Sequence, residues 1–290
     1  MTLGLRLLRV PATVVVLALA FAVIAPLAMG QYQAVTLGQG IGPAVRFTTV
    51  NGLGTVTVVN PNVESQYQAP LADVILRATE RSLALLVGVA AFSLVVGVLL
   101  GITAALLRRR AFASGAILGV TSVLAAIPSF FLAFLLQFLI IFIGGAAGHS
   151  VLPVFGYGLD GHLVLPLLAL SAPAVATTAQ LTATRMGEVF DADFITTALA
   201  KGLLPSWIIR VHVLPHVLPV SLEAVGSGLR VAVASLPIVE YMLLWNGIGY
   251  VALQSIALRD PAALTACAAV LATLFALTSL LLDLRPRRFH

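Results

Sequence analysis

Long apolar runs, separated by short polar and charged clusters, dominate this chain. Each run is long enough for the roughly 20 residues that a helix needs to cross a bilayer. Apolar residues are continuous within the runs and do not alternate with polar ones, which favours helices over a barrel. We predict an all-α polytopic membrane protein, one domain over residues 1–290, with six transmembrane helices at about 11–29, 76–107, 115–143, 162–184, 219–244 and 261–283.

The first apolar run has an alternative interpretation. It follows a basic segment, Met1–Arg9, and ends near the small residues Ala28-Met29-Gly30, a pattern typical of a cleaved signal peptide. The run is long for the core of a signal peptide, and its removal would leave five helices and an external N-terminus. We therefore expect a retained helix.

Composition supports a lipid-facing surface. The chain is 60% hydrophobic and 9% charged, with a mean hydropathy of +1.08, whereas soluble domains carry roughly 25% charged residues. The net charge of +5 does not indicate nucleic-acid binding, because basic residues flank the apolar runs and form no stripe with interleaved aromatics. The single cysteine, Cys267, lies in an apolar run, so the sequence predicts neither a disulfide framework nor a thiolate metal site.

The distribution of lysine and arginine predicts the orientation. With both termini in the cytoplasm, Arg46, Arg77, Arg81 and Arg259 are external and Arg230 lies within a helix. The larger group is then cytoplasmic, as the positive-inside rule requires: Arg6, Arg9, Arg108, Arg109, Arg110, Arg185, Lys201, Arg210, Arg285, Arg287 and Arg288.

Residues 31–70 form the longest predicted external segment. Its Val- and Thr-rich stretch, Val45–Val59, surrounds Asn51-Gly52, a pattern typical of a β-hairpin. This segment is interpreted either as a cap on the pore mouth or as a contact for an external binding protein.

Two glycine pairs have the small-xxx-small spacing that lets membrane helices approach closely. They are Gly97 with Gly101 and Gly115 with Gly119. We expect both to serve helix packing.

The predicted cytoplasmic loop 185–218 is polar and basic in an otherwise apolar chain. Asp191 and Asp193 suit the start of a short helix, Phe194–Lys201, which Gly202 can end. An apolar patch follows that is too short to span. These features fit either a docking helix for a partner or an ordinary interfacial amphipathic helix, and physics alone leaves both open.

The same loop resembles the coupling loop of ABC-importer permeases, E-A-A-x3-G-x9-I-x-L-P. Its Thr-Ala-x-Ala-Lys-Gly form is similar to the dipeptide/oligopeptide/nickel subfamily, although the motif's glutamate and isoleucine are absent. The resemblance implies the following ATPase-coupling residues: Thr196, Thr197, Ala198, Lys201, Gly202, His212, Leu214 and Pro215.

Other stretches are similar to this family in the same order along the chain. They are Pro70–Leu76, Ile127–Phe130, Leu152–Gly158, Glu240–Gly249 (with Asn246 where the family has proline) and Arg259–Pro261.

The resemblance implies a non-enzymatic membrane subunit of an ATP-driven importer, forming the pore for peptides, nickel complexes or similar solutes. The implied partners are a second permease subunit, two ATPase subunits and an extracytoplasmic substrate-binding protein, in an inner membrane. Lys201, the only lysine, is preceded by Ala200, so the chain has no P-loop. ATP and Mg²⁺ are therefore expected on the partner ATPase, with no cofactor on this chain.

Charges within the predicted helices suggest pore residues. Arg230 and Glu240 are the candidates, because intramembrane charges usually face a cavity or a partner. The alternative for Arg230 is a structural salt bridge to Glu223 or Glu80. The same four residues could instead form the relay of a proton-coupled secondary transporter, although such a transporter has no need of the coupling loop.

No constellation typical of catalysis or metal binding stands out. His212 and His216 have a zinc-compatible spacing, but Pro215 lies between them and no HExxH pattern is present. An intramembrane enzyme stays a third hypothesis that nothing in the sequence favours.

Overall fold

The computed structural model describes residues 45–48, 55–59, 66–70 and 71–283, with side chains from Leu71 to Thr278. The predicted first helix at 11–29 and the end of the chain after Asp283 lie outside the described residues. The count of six helices is therefore not tested.

Three short strands precede the helices. They are β1 (Val45–Thr48), β2 (Thr55–Val59) and β3 (Gln66–Pro70), and they pair antiparallel in that order. Val45 lies opposite Val58, and Thr55 opposite Pro70. The Asn51-Gly52 turn itself lies outside the described residues.

Nine helices follow among the described residues. They are α1 (Leu71–Leu106), α2 (Ala111–Ala126), α3 (Ser129–Ala147), α4 (Val164–Phe190), α5 (Asp193–Ala200), α6 (Pro205–Ile208), α7 (Leu214–Leu243), α8 (Ile248–Ala257) and α9 (Pro261–Asp283). A 3₁₀ turn, Gly161–Leu163, precedes α4, and a π-helical turn, Ile209–Val213, joins α6 to α7. Five of the described segments are long and apolar enough to cross a membrane, and they contain α1, α3, α4, α7 and α9.

The run predicted as one helix at 115–143 is two helices, and that prediction was wrong. Helix α2 ends at Ala126, and Ile127 is extended, with φ −80° and ψ 123°. Pro128 is the physical reason, because its ring disfavours helical backbone in the preceding residue and it has no N–H to continue the helix. Only α3 is long enough to span.

Helix α4 is the centre of the bundle, and its most extensive contacts are with α1 and α7. In the most apolar stretch of α4, 67% of the residues are buried, against 6% in that of α3. Small residues make this possible: a Cβ on Gly228 of α7 would collide with the backbone and Cβ of Ala174. Close approach of backbones supplies van der Waals packing where lipid offers no hydrophobic drive between helices.

The two glycine pairs differ in this respect. Cβ atoms on Gly97 and Gly101 would collide with Thr178 and Thr182 of α4, so this pair serves helix packing as expected. Cβ atoms on Gly115 and Gly119 would meet nothing within 4 Å. The second pair therefore makes no close helix contact among the described residues.

The membrane helices extend further towards the polar loop than the sequence predicts. Helix α4 continues to Phe190, and α7 already begins at Leu214. The segment between them is residues 191–213, shorter than the predicted loop 185–218. Helix α8, ten residues long and too short to span, was not anticipated by the sequence pattern.

Candidate functional site

Helix α5 lies between two spanning helices as a short, separately capped element. Its N-cap, Ala192, is extended, and Asp193 lies in the first turn, where a carboxylate suits the helix dipole. Gly202 ends it with φ +75°, a left-handed conformation that glycine adopts without strain. The Gly202 N–H donates to the Leu199 carbonyl at 2.9 Å. The predicted helix and its glycine stop are both present.

The inner face of α5 attaches it to the bundle. Ile195 and Ala198 are buried, in one apolar cluster with Ala105 of α1 and Met186 of α4. Ala198 therefore holds α5 in place and has almost no surface to offer a partner. The expectation that Ala198 is a coupling residue stays a prediction, in which its contribution is to link α5 to the bundle.

The outer face of α5 and the turn after it form an exposed surface. We name it the α5 surface and define it by its exposed residues: Thr196, Thr197, Leu199, Leu204 and Trp207. Leu204 is 71% exposed and Trp207 47%. Lys201 and Gly202 are exposed beside them. The surface is thus apolar and hydroxyl-bearing with a basic edge, which suits docking of a protein partner.

The remaining predicted coupling residues follow the α5 surface along the chain. Pro215 is exposed, whereas His212 and Leu214 are half-buried. The His212 ring lies edge-on to Trp207, with ring centroids 5.2 Å apart, and His216 lies 5.7 Å from Phe194. Both histidines therefore pack on aromatic rings. The described residues contain no group of three or more metal-ligating side chains.

At the opposite end of the bundle Glu240 is fully enclosed. Its carboxylate accepts hydrogen bonds from the Ser82 hydroxyl at 2.6 Å and from the backbone N–H groups of Gly249 and Tyr250 at 2.8 and 3.2 Å. Ser82 in turn accepts the N–H of Ile248 at 2.8 Å. Glu240 and Ser82 together satisfy the free N–H groups at the start of α8.

We call this set the Glu240 cluster: Ser82, Glu240, Gly247, Gly249 and Tyr250. A Cβ on Gly247 would overlap the Glu240 carboxylate and the Ser82 hydroxyl, and one on Gly249 would overlap Pro237. The glycines of the stretch Glu240–Gly249 are therefore needed for close approach. The cluster joins α1, α7 and α8.

An aromatic layer covers the Glu240 cluster. Trp245 is fully buried, and its indole N–H donates to the Arg81 carbonyl at 3.3 Å. The Tyr157 ring meets Trp245 edge-on at 5.0 Å, and the Arg81 guanidinium lies 4.5 Å from the centre of the Tyr157 ring. The Gly156 N–H donates to the Leu243 carbonyl at 2.9 Å. The loop Leu152–Gly158 is thereby tied to the end of α7.

These contacts correct the prediction for Glu240. Its side chain has no exposed surface from which to line a pore, and its oxygens already have partners within this chain. Arg230, the other candidate, is half-buried in the middle of α7, and Glu223 is exposed on the same helix. Sequence reasoning missed Ser82, because a lone serine in an apolar run carries no distinguishing signal.

The loop before α4 contains an exposed acid–imidazole pair. His162 Nδ1 lies 2.6 Å from the Asp160 carboxylate, which also accepts the His162 backbone N–H at 3.2 Å. These hydrogen bonds, the side-chain bond first, hold the pKa of Asp160 below its ordinary value. The carboxylate caps the 3₁₀ turn that leads into α4.

Comparison with known proteins gives consistent findings. Over 166 residues the chain is 34% identical to the dipeptide transport system permease protein DppB of Bacillus subtilis, covering 57% of this chain and 51% of that protein. It is 27% identical over 223 residues to a probable peptide ABC transporter permease protein of Sinorhizobium fredii, covering 74% and 69%. The chain spans about half the length of the Bacillus relative.

A solved structure shares the fold. The inward-facing methionine ABC transporter MetNI aligns with a TM-score of 0.60 at 20% identity, over 73% of this chain and 94% of that one. The family described as binding-protein-dependent transport system inner membrane component matches residues 97–289, well over half of the chain. This multi-pass membrane protein belongs to that family.

Proposed function

We propose that the chain is the membrane-spanning subunit of an ATP-driven importer, forming part of a pore for peptides or similar small solutes. The observation that carries the proposal is the α5 surface, an exposed apolar patch on α5 and the turn after it, between two spanning helices. Family membership and the peptide-permease names of the relatives support it.

In this proposal α5 transmits force. Its buried face, through Ile195 and Ala198, packs on the ends of α1 and α4. A partner that moved α5 would thereby move the bundle as a rigid body, the usual form of such transitions. ATP and Mg²⁺ are bound and used by two separate ATPase subunits, so the work enters this chain only through the α5 surface.

The other partners follow from the same assignment. A second permease subunit completes the pore, and an extracytoplasmic binding protein delivers the solute. The end bearing α5 is cytoplasmic, together with both termini, because Arg108, Arg109, Arg110, Lys201 and Arg210 lie at that end.

Arg230 is proposed to line the pore, because it is a half-buried charge in the middle of a spanning helix. Arg230→Ala should slow uptake by tenfold or more without altering thermal stability, and Arg230→Lys should restore part of the rate. A fall in stability with unchanged uptake kinetics would instead make Arg230 a structural residue.

The proton-coupled transporter is the rival hypothesis. This hypothesis needs Glu240 in a proton relay, but Glu240 is buried and hydrogen-bonded to Ser82 and the start of α8. Uptake of a labelled dipeptide into membrane vesicles discriminates the two. The importer requires ATP and is insensitive to a protonophore, whereas the secondary transporter requires the proton gradient and no ATP.

Docking itself is tested with two matched leucines. Leu204, in the α5 surface, is 71% exposed, and Leu159, before α4 at the other end of the bundle, is 69% exposed. Leu204→Asp should abolish co-purification of the ATPase that the wild-type chain captures from its own membranes, whereas Leu159→Asp should not. Equal capture by both variants would contradict docking at the α5 surface.

A further inference from the structure

A groove opens beside the buried face of α5, where α1 and α4 end. Its volume is about 360 Å³, at the lower end of the roughly 300–1,000 Å³ typical of small-ligand sites. Its walls are mainly apolar. Its rim is basic, because Arg108 and Arg109 are the only charged side chains among the lining residues. The lining includes Leu106, Leu199, Pro205 and Ile209, with Arg108 and Arg109 at the rim. We call it the α1–α5 groove.

The groove opens at the end of a spanning helix, which is expected to be the level of the membrane surface. The spanning helix α1 ends at Leu106, and Arg108, Arg109 and Arg110 follow within one turn. Arginines at the end of a span lie among lipid headgroups, where basic pockets between helices bind anionic phospholipid. The apolar wall of the groove begins where the lipid-facing part of α1 stops.

Arg108 is already held in position. Its Nη1 donates to Asp191 at 2.8 Å and to the Gly187 carbonyl at 3.5 Å, and its guanidinium lies 5.3 Å from the centre of the Phe190 ring. Both hydrogen bonds use Nη1, and a guanidinium has five N–H groups in all. Arg108 can therefore contact an anion in the groove without losing these bonds.

The charge of the groove rim indicates which kind of headgroup it would bind. Asp191 is paired with Arg108, whereas Arg109 and Arg110 are exposed. A cationic headgroup would gain nothing from this rim, and a zwitterionic headgroup would gain less than an anionic one. A free soluble anion would leave the apolar walls, including Leu106 and Ile209, without a contact.

We propose that the α1–α5 groove binds an anionic phospholipid, with its phosphate on Arg108 and Arg109 and its glycerol and upper acyl chain against the apolar wall. The site requires only insertion in a bilayer, and its wall shares Leu199 with the α5 surface. It would place a lipid against the root of α5.

Native mass spectrometry of the detergent-solubilised chain tests this, with phosphatidylglycerol and phosphatidylcholine as probes. Adjacent arginines give a matched pair, since Arg109 lines the groove and Arg110 does not. Arg109→Gln should weaken phosphatidylglycerol binding about fivefold, the effect of one basic residue near a headgroup. Arg110→Gln should change it less than twofold, and phosphatidylcholine should bind more weakly than phosphatidylglycerol to the wild type.

Three results would overturn the proposal. The first is an equal effect of the two arginine variants, or equal binding of the two lipids. The second is displacement of phosphatidylglycerol by inorganic phosphate or by glycerophosphate at similar concentration, which would indicate a soluble-anion site. The third is an Arg109→Gln variant that loses ATPase capture while phosphatidylglycerol binding is unchanged, which would make the groove a subunit contact.

Discussion

The two ends of the helix bundle are built on opposite principles. The Glu240 cluster joins α1, α7 and α8 through a buried carboxylate, a serine and two glycines that leave no room for a side chain. The α5 surface leaves leucine, tryptophan and two threonines exposed, and a Cβ on Gly202 would meet nothing within 4 Å. One end is completed by this chain alone, while the other offers a surface that a second protein can complete.

The comparison teaches how to interpret family-like motifs in a membrane protein. Glu240–Gly249 and the α5 loop are equally clear as sequence patterns. The first brings together residues that bond to one another, and the second carries an exposed face beside its buried Ile195 and Ala198. Substitutions at the first should therefore change stability, and substitutions at the second should change partner binding.

The largest effect is expected for Glu240→Ala. It leaves the Ser82 hydroxyl and two backbone N–H groups of α8 buried without an acceptor, which should lower the free energy of unfolding by about 3 kcal/mol. Thermal unfolding in detergent measures this. The exposed Glu80, two residues before Ser82, is the control, and Glu80→Ala should cost under about 0.5 kcal/mol. Similar losses for the two variants would contradict the cluster.

Two glycine substitutions come next. Gly247→Ala should cost about 2 kcal/mol, because its Cβ overlaps Glu240 and Ser82. Gly202→Ala should cost about 1 kcal/mol, because only the left-handed backbone opposes it. ATPase capture per folded molecule should fall for Gly202→Ala and stay constant for Gly247→Ala. A fall in ATPase capture for Gly247→Ala but not for Gly202→Ala would contradict docking at the α5 surface.

The chain has two tryptophans, one at each end of the bundle, and their fluorescence compares the exposure of the two ends directly. Trp245 is fully buried and Trp207 is 47% exposed. Acrylamide should therefore quench mainly Trp207, so that Trp207→Phe leaves a weakly quenched emission and Trp245→Phe a strongly quenched one. Equal quenching of both single-tryptophan variants would show that the ends are not differently exposed.

The smallest effect concerns pH and the 3₁₀ turn before α4. Hydrogen bonds from His162 lower the pKa of Asp160 in the folded chain. The ionised carboxylate therefore stabilises the fold at any pH above 3.8, the ordinary pKa of this group. That stabilisation is lost as pH falls below 3.8 through the lowered value. Thermal unfolding of wild type and Asp160→Asn should differ slightly at neutral pH and converge under strongly acidic conditions. A difference that grows with acidity would contradict the assignment.

The sequence was sufficient for features with local causes. Apolar runs predicted the helical class, and Asp193 with Gly202 predicted the start and end of α5, because capping preferences act within one turn. The break at Pro128 was equally local but was overlooked, since apolar residues continue on both sides of it. Helix α8 was missed because its ten residues are too short a run to be recognised as a spanning helix.

Contacts distant in sequence were beyond prediction. An acid in an apolar run indicates a pore residue or a buried cap with equal force. Glu240 is a buried cap, because its carboxylate accepts hydrogen bonds from Ser82, 158 positions away, and from the start of α8. Likewise, Gly97 and Gly115 belong to identical spacings, and only the position of α4 decides that the first pair is packed and the second is open.

Site-directed cross-linking tests the central claim, that the α5 surface is where the ATPase docks. Cys267, the only natural cysteine, is fully buried, so one introduced cysteine is the only reactive position among the described residues. Thr197→Cys, treated with a short bifunctional reagent in native membranes, should join the chain to its ATPase, and Leu159→Cys should not. Cross-linking from Leu159→Cys alone, or to the same extent from both positions, would contradict the account.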